Sequence, residues 1–374
     1  MRYFLIAGEP SGDLHASYLM EKLKEVDKNA VFSFVGGDLM IKQDGHLVMH
    51  YKNLAIMGIM DVIKRIHTIK KKFDFCVKQI ISDKPDVVIL VDYPGFNLRI
   101  AKFAKKKGFK VFYYISPKIW ARNEKRIRII KKYIDRLYVI FPFEIDYYKK
   151  FNYPVIYKGN PLVDYVDFNK SKNLSFEQFC KKNNLESKPI IAVLPGSRIT
   201  EVKRILSKIL STLGNNYPDF QIVIAGVSNI DTIVYEKIVK NFKCRILYNQ
   251  TYDILNFAYI AIVASGTATL ETALFKVPQV VCYYLDKFTY ILARQIVKVK
   301  YISLVNLLLN EPLVKELIQE NMNSSILRNE IDKLLFDDGY RNKILEGYDK
   351  IEHILENPGV SYRIAEDMYY SIIK

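Results

Sequence analysis

A chain of 374 residues, half of them hydrophobic, has ample material for packed cores and excludes a disordered polymer. Its formal net charge of +16 favours anionic partners (nucleic acid, an anionic membrane surface or phosphorylated substrates), although a Lys-rich background accounts for part of it. Cys76, Cys180, Cys244 and Cys282 stand far apart with no C-x-x-C pair, which argues against a zinc site or disulfide framework, and no apolar stretch approaches the roughly 20 residues of a membrane-crossing helix.

The first apolar run, 3–7, leads directly into AGEPSGDLHA (7–16) and a helical pattern, which leaves no room for a signal peptide. The glycines are spaced G-x-x-x-G, not G-x-G-x-x-G, and no acidic residue follows at the spacing of a dinucleotide site. Glu9 and Asp13 would repel a pyrophosphate. With the Ser11 hydroxyl they suit neutral sugar hydroxyls; the plainer alternative is a capped turn, with Ser11 or Asp13 as the cap.

Strand-like runs follow at 31–35, 86–91, 110–115 and 136–141. Between them, residues 57–80 place Met60, Ile63, Ile66, Ile69, Phe73, Val77 and Ile80 at helical spacing, opposite Lys64, Arg65, Lys70, Lys71, Lys72 and Lys78. Such a helix packs on a sheet or, through Ile56, Met57, Ile59 and Met60, touches a membrane. Residues 288–300 have a similar mixture. Asp92 opens DYPGFN (92–97) straight after the run 86–91. A carboxylate at such a rim can take a proton from a substrate hydroxyl, or serve as an ordinary turn residue. Residues 113–126 hold the only tryptophan, Trp120, with Lys118, Arg122, Lys125 and Arg126. That mixture fits an anionic, partly apolar ligand, or a basic surface helix over Trp120.

The polar stretch 160–188 reads as a domain join. A second series of runs follows at 190–194, 220–225, 244–248, 259–264 and 279–284. Short apolar runs with helical spacers predict parallel strands in βα units, and two series predict two doubly wound α/β domains. In LPGSR (194–198), Gly196 permits close backbone approach, Ser197 is a candidate N-cap with Glu201 as helper, and Arg198 adds a planar donor fork. A phosphate suits such a helix start; an ordinary βα turn is the alternative. In SGTATLE (265–271), Ser265, Gly266 and Thr267 again present N–H groups at a helix start. Glu271, one helical turn beyond Thr267, suits a ribose diol or the helix dipole. Beyond about 310 the pattern is helical to the end, broken at Pro358-Gly359. The five histidines are scattered without metal spacing; His46 and His50 form an i, i+4 pair only if that region were helical, which Gly45 opposes.

The set AGEPSGDLHA, GGDLM (36–40), MGIMDVI (57–63), VDYPGFN (91–97), ISPKIWA (115–121), LPGSR, SGTATLE and NLLLNEPLVKELIQE (306–320) resembles the lipid-A-disaccharide synthase family, in the same order and over nearly the whole chain. The resemblance implies a GT-B fold: an acceptor domain at 1–165, a UDP-sugar domain at 166–345 facing it across a cleft, and C-terminal helices at 346–374 returning to the first domain. It implies an inverting transfer from UDP-2,3-diacylglucosamine to 2,3-diacylglucosamine 1-phosphate (lipid X), giving a β-1,6 disaccharide and UDP. No metal or cofactor is implied. The protein is expected at the cytoplasmic face of a Gram-negative inner membrane, in peripheral contact with anionic lipid, as a monomer or homodimer without nucleic acid. Asp92 matches the candidate general base; Glu9, Ser11 and Asp13 match the loop facing the reaction centre. Arg198, Gly266, Thr267, Glu271 and Asn306 match positions around UDP, beside Gly196, Ser197 and Ser265 of the same two loops.

Two positions depart from the family pattern: Gly159-Asn160-Pro161 replaces Gly-His-Pro, and Trp120-Ala121-Arg122 replaces Trp-Ala-Trp. SGTATLE also suits other GT-B enzymes that use UDP-N-acetylglucosamine, such as a lipid II glycosyltransferase or a UDP-sugar 2-epimerase. A non-catalytic binder of anionic lipid is the remaining alternative, since no nucleic-acid module is present.

Overall fold

VVILV at 87–91 and IIAVL at 190–194 have no polar residue to turn toward water, and each is buried along its whole length. Such strands need cover on both faces, which helical crossovers supply. In the computed structural model, which describes residues 1–54, 66–170, 174–286, 290 and 299–373, each is a central strand of a parallel sheet.

The first sheet contains β1 (Arg2–Ala7), β2 (Val31–Gly36), β3 (His46–His50), β4 (Val87–Val91), β5 (Lys110–Tyr114), β6 (Arg136–Val139) and β7 (Ile156–Tyr157), in the order β3-β2-β1-β4-β5-β6-β7. The second contains β8 (Ile190–Leu194), β9 (Gln221–Gly226), β10 (Arg245–Tyr248), β11 (Ala258–Ala264), β12 (Gln279–Tyr283) and β13 (Glu316–Ile318), in the order β10-β9-β8-β11-β12-β13. Every pairing is parallel. Both are doubly wound α/β sheets, the fold class expected.

The chain forms two compact units, one of residues 1–164 with 356–374 and one of residues 165–355. The return to the first unit comes at Glu356, not at 346. The helix Asp338–Leu355 belongs to the second unit throughout its last turns, where Ile351 and Leu355 are buried.

Strand alternation divides the core of the first unit. Phe4, Ile6, Val88 and Leu90 pack on one face with Cys76 and Ile80 of the helix Ile66–Asp83 and with Ile100, Ala101 and Ala104 of the helix Pro94–Lys106. Tyr3, Leu5, Ala7, Val87, Ile89 and Val91 pack on the other. There they meet Leu19, Met20 and Leu23 of the helix Pro10–Val26, and Ile364, Ala365 and Met368 of the helix Val360–Ile373. Phe73 and Val77 also lie against the core, so this part of the amphipathic segment covers a sheet. The apolar residues of 56–63, and most of 288–300, lie outside the described residues.

Three strands went unpredicted. β3 is only partly buried, and β7 has just two residues. β13 falls where the reading was helical, and pairing with β12 overrides that local pattern. His46 and His50 lie in β3 and share no helical face. Among the described residues no helix is long and apolar enough to cross a membrane.

Candidate active site

Strand order reverses between β1 and β4 in the first sheet and between β8 and β11 in the second. At such a switch point the crossovers leave toward opposite faces, and a crevice opens beyond the carboxyl ends of the strands. The four loops singled out above follow these four strands. Ala7 pairs with Val91, and Leu194 with Val263, so the loops emerge side by side within each unit.

In the first unit, Asp92 (φ 42°) and Tyr93 (φ 47°) are consecutive left-handed residues. Non-glycine residues there cost roughly 1–2 kcal/mol each, so surrounding bonds must hold them. The Asp92 N–H donates to Tyr114 O at 3.0 Å. The Asp92 carbonyl accepts from Tyr113 Oη at 2.5 Å and Asn97 Nδ2 at 2.8 Å. Asn97 Nδ2 also lies 3.2 Å from both Ile6 O and Val91 O, which ties the ends of β1 and β4 together. Burial pushes the Asp92 carboxyl up from the ordinary range; Lys118 and Arg122 oppose that rise and Glu9 adds to it.

Glu9 is the exposed N-cap residue of the helix Pro10–Val26, in extended conformation and without a side-chain cap. Ser11 is exposed in its first turn. Neither Ser11 nor Asp13 caps this helix. Asp13 is buried and turned to another element: Oδ1 accepts from Gly37 N at 2.6 Å and Met40 N at 3.2 Å, and Oδ2 from Leu39 N at 3.0 Å. It thereby caps the short helix Asp38–Ile41 of the GGDLM segment. Burial raises its pKa, against those three bonds. At His15, two residues on, burial and then Lys118 lower the pKa to about 4, so it is neutral at pH 7.

The segment after β5 is a run of turns ending in the 3-10 turn Glu124–Arg126, not a surface helix. Trp120 is packed beneath it, with Nε1 donating to Glu144 Oε1 at 3.1 Å and its ring edge-on to Phe143 at 5.0 Å. Glu144 Oε2 accepts from Ile140 N at 3.0 Å and Phe141 N at 3.1 Å. Burial pushes the Glu144 carboxyl up to about 7 in spite of these donors. Asn160, at the histidine position of the family pattern, is buried: Nδ2 donates to Ile140 O at 3.2 Å, and Oδ1 accepts from Leu162 N at 3.0 Å. Asparagine there serves the backbone.

In the second unit, Gly196 has φ +104°, and a Cβ on it would lie 2.5 Å from Glu201 Oε2. The N-cap residue of the helix Ile199–Leu213 is Arg198 rather than Ser197. Glu201 plays the helper's part, accepting from Arg198 N at 3.4 Å and Nη1 at 3.3 Å. Ser197 is exposed, and its carbonyl accepts from Asn229 Nδ2 at 3.2 Å. Arg198 remains exposed at the helix start.

After β11, Gly266 is the N-cap residue of the helix Thr267–Leu274. Thr269 Oγ1 donates to Gly266 O at 2.8 Å, and Ser265 Oγ to Ile302 O at 3.0 Å. Glu271 Oε1 accepts from Tyr252 Oη at 2.7 Å. Burial raises the Glu271 pKa, and the Tyr252 hydroxyl opposes the rise. Asn306 is buried and turned inward: Nδ2 donates to Val314 O (2.8 Å) and Glu316 Oε1 (3.0 Å), and Oδ1 accepts from Val314 N (2.9 Å). Glu316 also accepts from Ile302 N and Ser303 N. The pair therefore fixes the loop to which Ser265 is bonded.

The structure thus brings Glu9 to Asp92, and Ser265 to the loop of Asn306. It turns Asp13 and Asn306 to backbone work. Asn97, Glu144, Glu316 and His15 were given no role from the sequence. Asn97, His15 and Glu316 lie inside the motifs above, but no spacing rule marks a side chain that bridges two strand ends or fixes a neighbouring loop. Among the described residues no three His, Cys, Asp or Glu side chains are grouped to hold a metal ion.

The family model described as lipid-A-disaccharide synthetase matches residues 3–361. A lipid-A-disaccharide synthase of Coxiella burnetii is 33% identical over 366 residues, covering 97% of this chain and 96% of the relative. Lipid-A-disaccharide synthase 1 of Legionella pneumophila is 36% identical over 362 residues, covering 95% and 94%. Among solved structures, UDP-GlcNAc 2-epimerase of Neisseria meningitidis bound to UDP-GlcNAc aligns with TM-score 0.70 at 13% identity, covering 99% and 100%. The calicheamicin glycosyltransferase CalG4 aligns with TM-score 0.60 at 12% identity, covering 100% and 98%. These structural likenesses speak for a GT-B fold.

Proposed function

This chain belongs to the lipid-A-disaccharide synthase family, and from that premise we propose how its residues perform the transfer. The 6-hydroxyl of 2,3-diacylglucosamine 1-phosphate gives its proton to Asp92 while its oxygen attacks the anomeric carbon of UDP-2,3-diacylglucosamine. The bond from that carbon to the diphosphate oxygen breaks, its electron pair leaves with UDP, and the anomeric configuration inverts. No metal takes part.

One observation carries this reading: a half-buried carboxylate, its proton affinity raised, stands where β4 ends at a switch point. A base of raised pKa suits proton abstraction from a hydroxyl near neutral pH. Glu9 and Ser11 flank the acceptor, while Asp13 holds the neighbouring GGDLM segment in place. In the second unit the helix starts after Gly196 and Gly266, with Ser197, Arg198, Ser265 and Thr267, receive the diphosphate of the donor. Glu271, oriented by Tyr252, receives the ribose diol. Asn306 is a positioning residue for that loop. The enzyme works at the cytoplasmic face of the inner membrane, where both diacylated substrates reside.

The test is an assay with UDP-2,3-diacylglucosamine and lipid X in EDTA, following UDP release and product mass. A disaccharide monophosphate is expected. Asp92→Asn should reduce turnover at least ~100-fold with unchanged UDP affinity; near-normal turnover removes Asp92 from the mechanism. Turnover of unacylated UDP-N-acetylglucosamine in place of the diacylated donor would point to the epimerase or lipid II class.

A further inference from the structure

Three cations of the segment after β5, Lys118, Arg122 and Arg126, make no ion pair among the described residues, and the first two act on Asp92. β5 is the neighbour of β4, with Tyr114 opposite Val91, so the segment after β5 starts beside Asp92. One turn of that segment brings two of the cations together: Ala121 N and Arg122 N both donate to Lys118 O, at 3.2 and 3.3 Å. Arg126 follows in the 3-10 turn, close enough for Arg122 to oppose its charge. Lys118 and Arg122 are exposed and Arg126 is half-buried. The fifteen ion pairs among the described residues include none of the three. The acid within the segment, Glu124, accepts from Tyr147 Oη at 3.1 Å.

The segment is anchored from below. Ser116 Oγ meets Tyr148 Oη at 2.8 Å, Tyr147 Oη donates to Ile119 O at 3.3 Å, and Trp120 is bonded to Glu144. Like charges held together on an anchored loop repel one another, and an anion relieves that repulsion. An arginine fork beside a lysine suits a phosphate monoester, which offers three acceptor oxygens.

We propose that Lys118, Arg122 and Arg126 form a phosphate-monoester subsite that takes the anomeric phosphate of the acceptor sugar. This rests on the transfer proposed above. The chemistry of the acceptor fits the layout. Its attacking hydroxyl hangs from the carbon next to C5 and its phosphate from C1, and C1 and C5 flank the ring oxygen. A group that holds the phosphate therefore lies within one sugar ring of the base.

The experiment compares two acceptors, 2,3-diacylglucosamine 1-phosphate and the same sugar with a methoxy group at C1, in the parent and in Lys118→Met/Arg122→Met. The parent should lose ~10- to 100-fold in kcat/KM without the phosphate, as expected for charge-assisted hydrogen bonds. Compared above the acid limb of each protein, where Asp92 is deprotonated with or without Lys118 and Arg122 beside it, the variant should lose a similar factor on the phosphorylated acceptor and nothing further on the methoxy one. Arg122→Lys, which keeps the charge, should recover part of the loss, and UDP affinity should not change. An equal loss on both acceptors, or weakened UDP binding, overturns the subsite while leaving the transferase reading intact. Absence of disaccharide from both acceptors with the parent overturns both.

Discussion

The ring of Tyr93 occupies the space that a side chain on Gly8 would need: a Cβ there would lie 2.3 Å from Tyr93 Cδ1 and 2.5 Å from Cγ. Glycine at the end of β1 is thus a condition for the left-handed pair Asp92 and Tyr93 at the end of β4. Gly8→Ala should push the ring away and drag Asp92 with it. Overpacking of this kind costs about 1–3 kcal/mol of stability, and an ångström of misplacement costs turnover about 100-fold. Thermal unfolding and kcat measure the two effects; a Gly8→Ala enzyme with parental kcat would show that Tyr93 does not position Asp92.

Asp13 is expected to act on stability first. Asp13→Ala leaves the N–H groups of Gly37, Leu39 and Met40 without their acceptor, a cost of about 2 kcal/mol or more. Asp13→Asn keeps one acceptor oxygen and should lose less. UDP binding should be untouched in both. Denaturant midpoints equal to the parent's would contradict the role given to Asp13 here.

The pH dependence of kcat/KM should report the field around Asp92. In the proposed transfer the deprotonated carboxylate is the base, so activity should fall as acid protonates it. The negative charge of Glu9 raises its pKa. Glu9→Gln should therefore lower that pKa and carry the acid limb to lower pH. A limb that stays, or moves upward, means that Glu9 does not act on the base.

Glu144 offers a stability measurement with a defined window. An ordinary glutamate carboxyl titrates near 4.5, and burial pushes that of Glu144 up to about 7 in the folded protein. The native state therefore holds a proton that the unfolded chain has released between those values. The stability linked to it is present below about 4.5 and is lost as pH rises through about 7. Relative to the parent, Glu144→Gln should gain on the order of 3 kcal/mol across that window. Urea unfolding at several pH values checks this, and a pH-independent difference between the two proteins would show that Glu144 stays ionised.

Much of the architecture was legible because buried parallel strands announce themselves. Runs such as Val87–Val91 and Ile190–Leu194 have no solvated face, and the loops that follow them carry glycine and acid or glycine and arginine. β3, β7 and β13 were not legible, since edge strands are short and draw their pairing from neighbours rather than from pattern. In the candidate site the residue types were readable and their directions were not. Asp13 and Glu9 share one loop and one chemistry, yet one turns to the N–H groups of Gly37, Leu39 and Met40 and the other stays exposed. Asn306 matches a position around UDP only through the family resemblance, and in the structure its amide is bonded to Val314 and Glu316.

The helix Val360–Ile373 lies against the helix Pro10–Val26, and Asp164 accepts from the N–H groups of Gly359, Val360 and Ser361 at 2.6, 3.0 and 2.7 Å. On the ribosome the sheet that ends at Asp92 is made before the second unit, yet one face of it waits for residues translated after that unit. The second unit, made in between, has all of its own chain while the first still lacks Ile364, Ala365 and Met368. The order of synthesis and the order of completion therefore run in opposite directions. Until residues 360–373 emerge, the nascent first unit exposes an apolar stripe that a chaperone can shield.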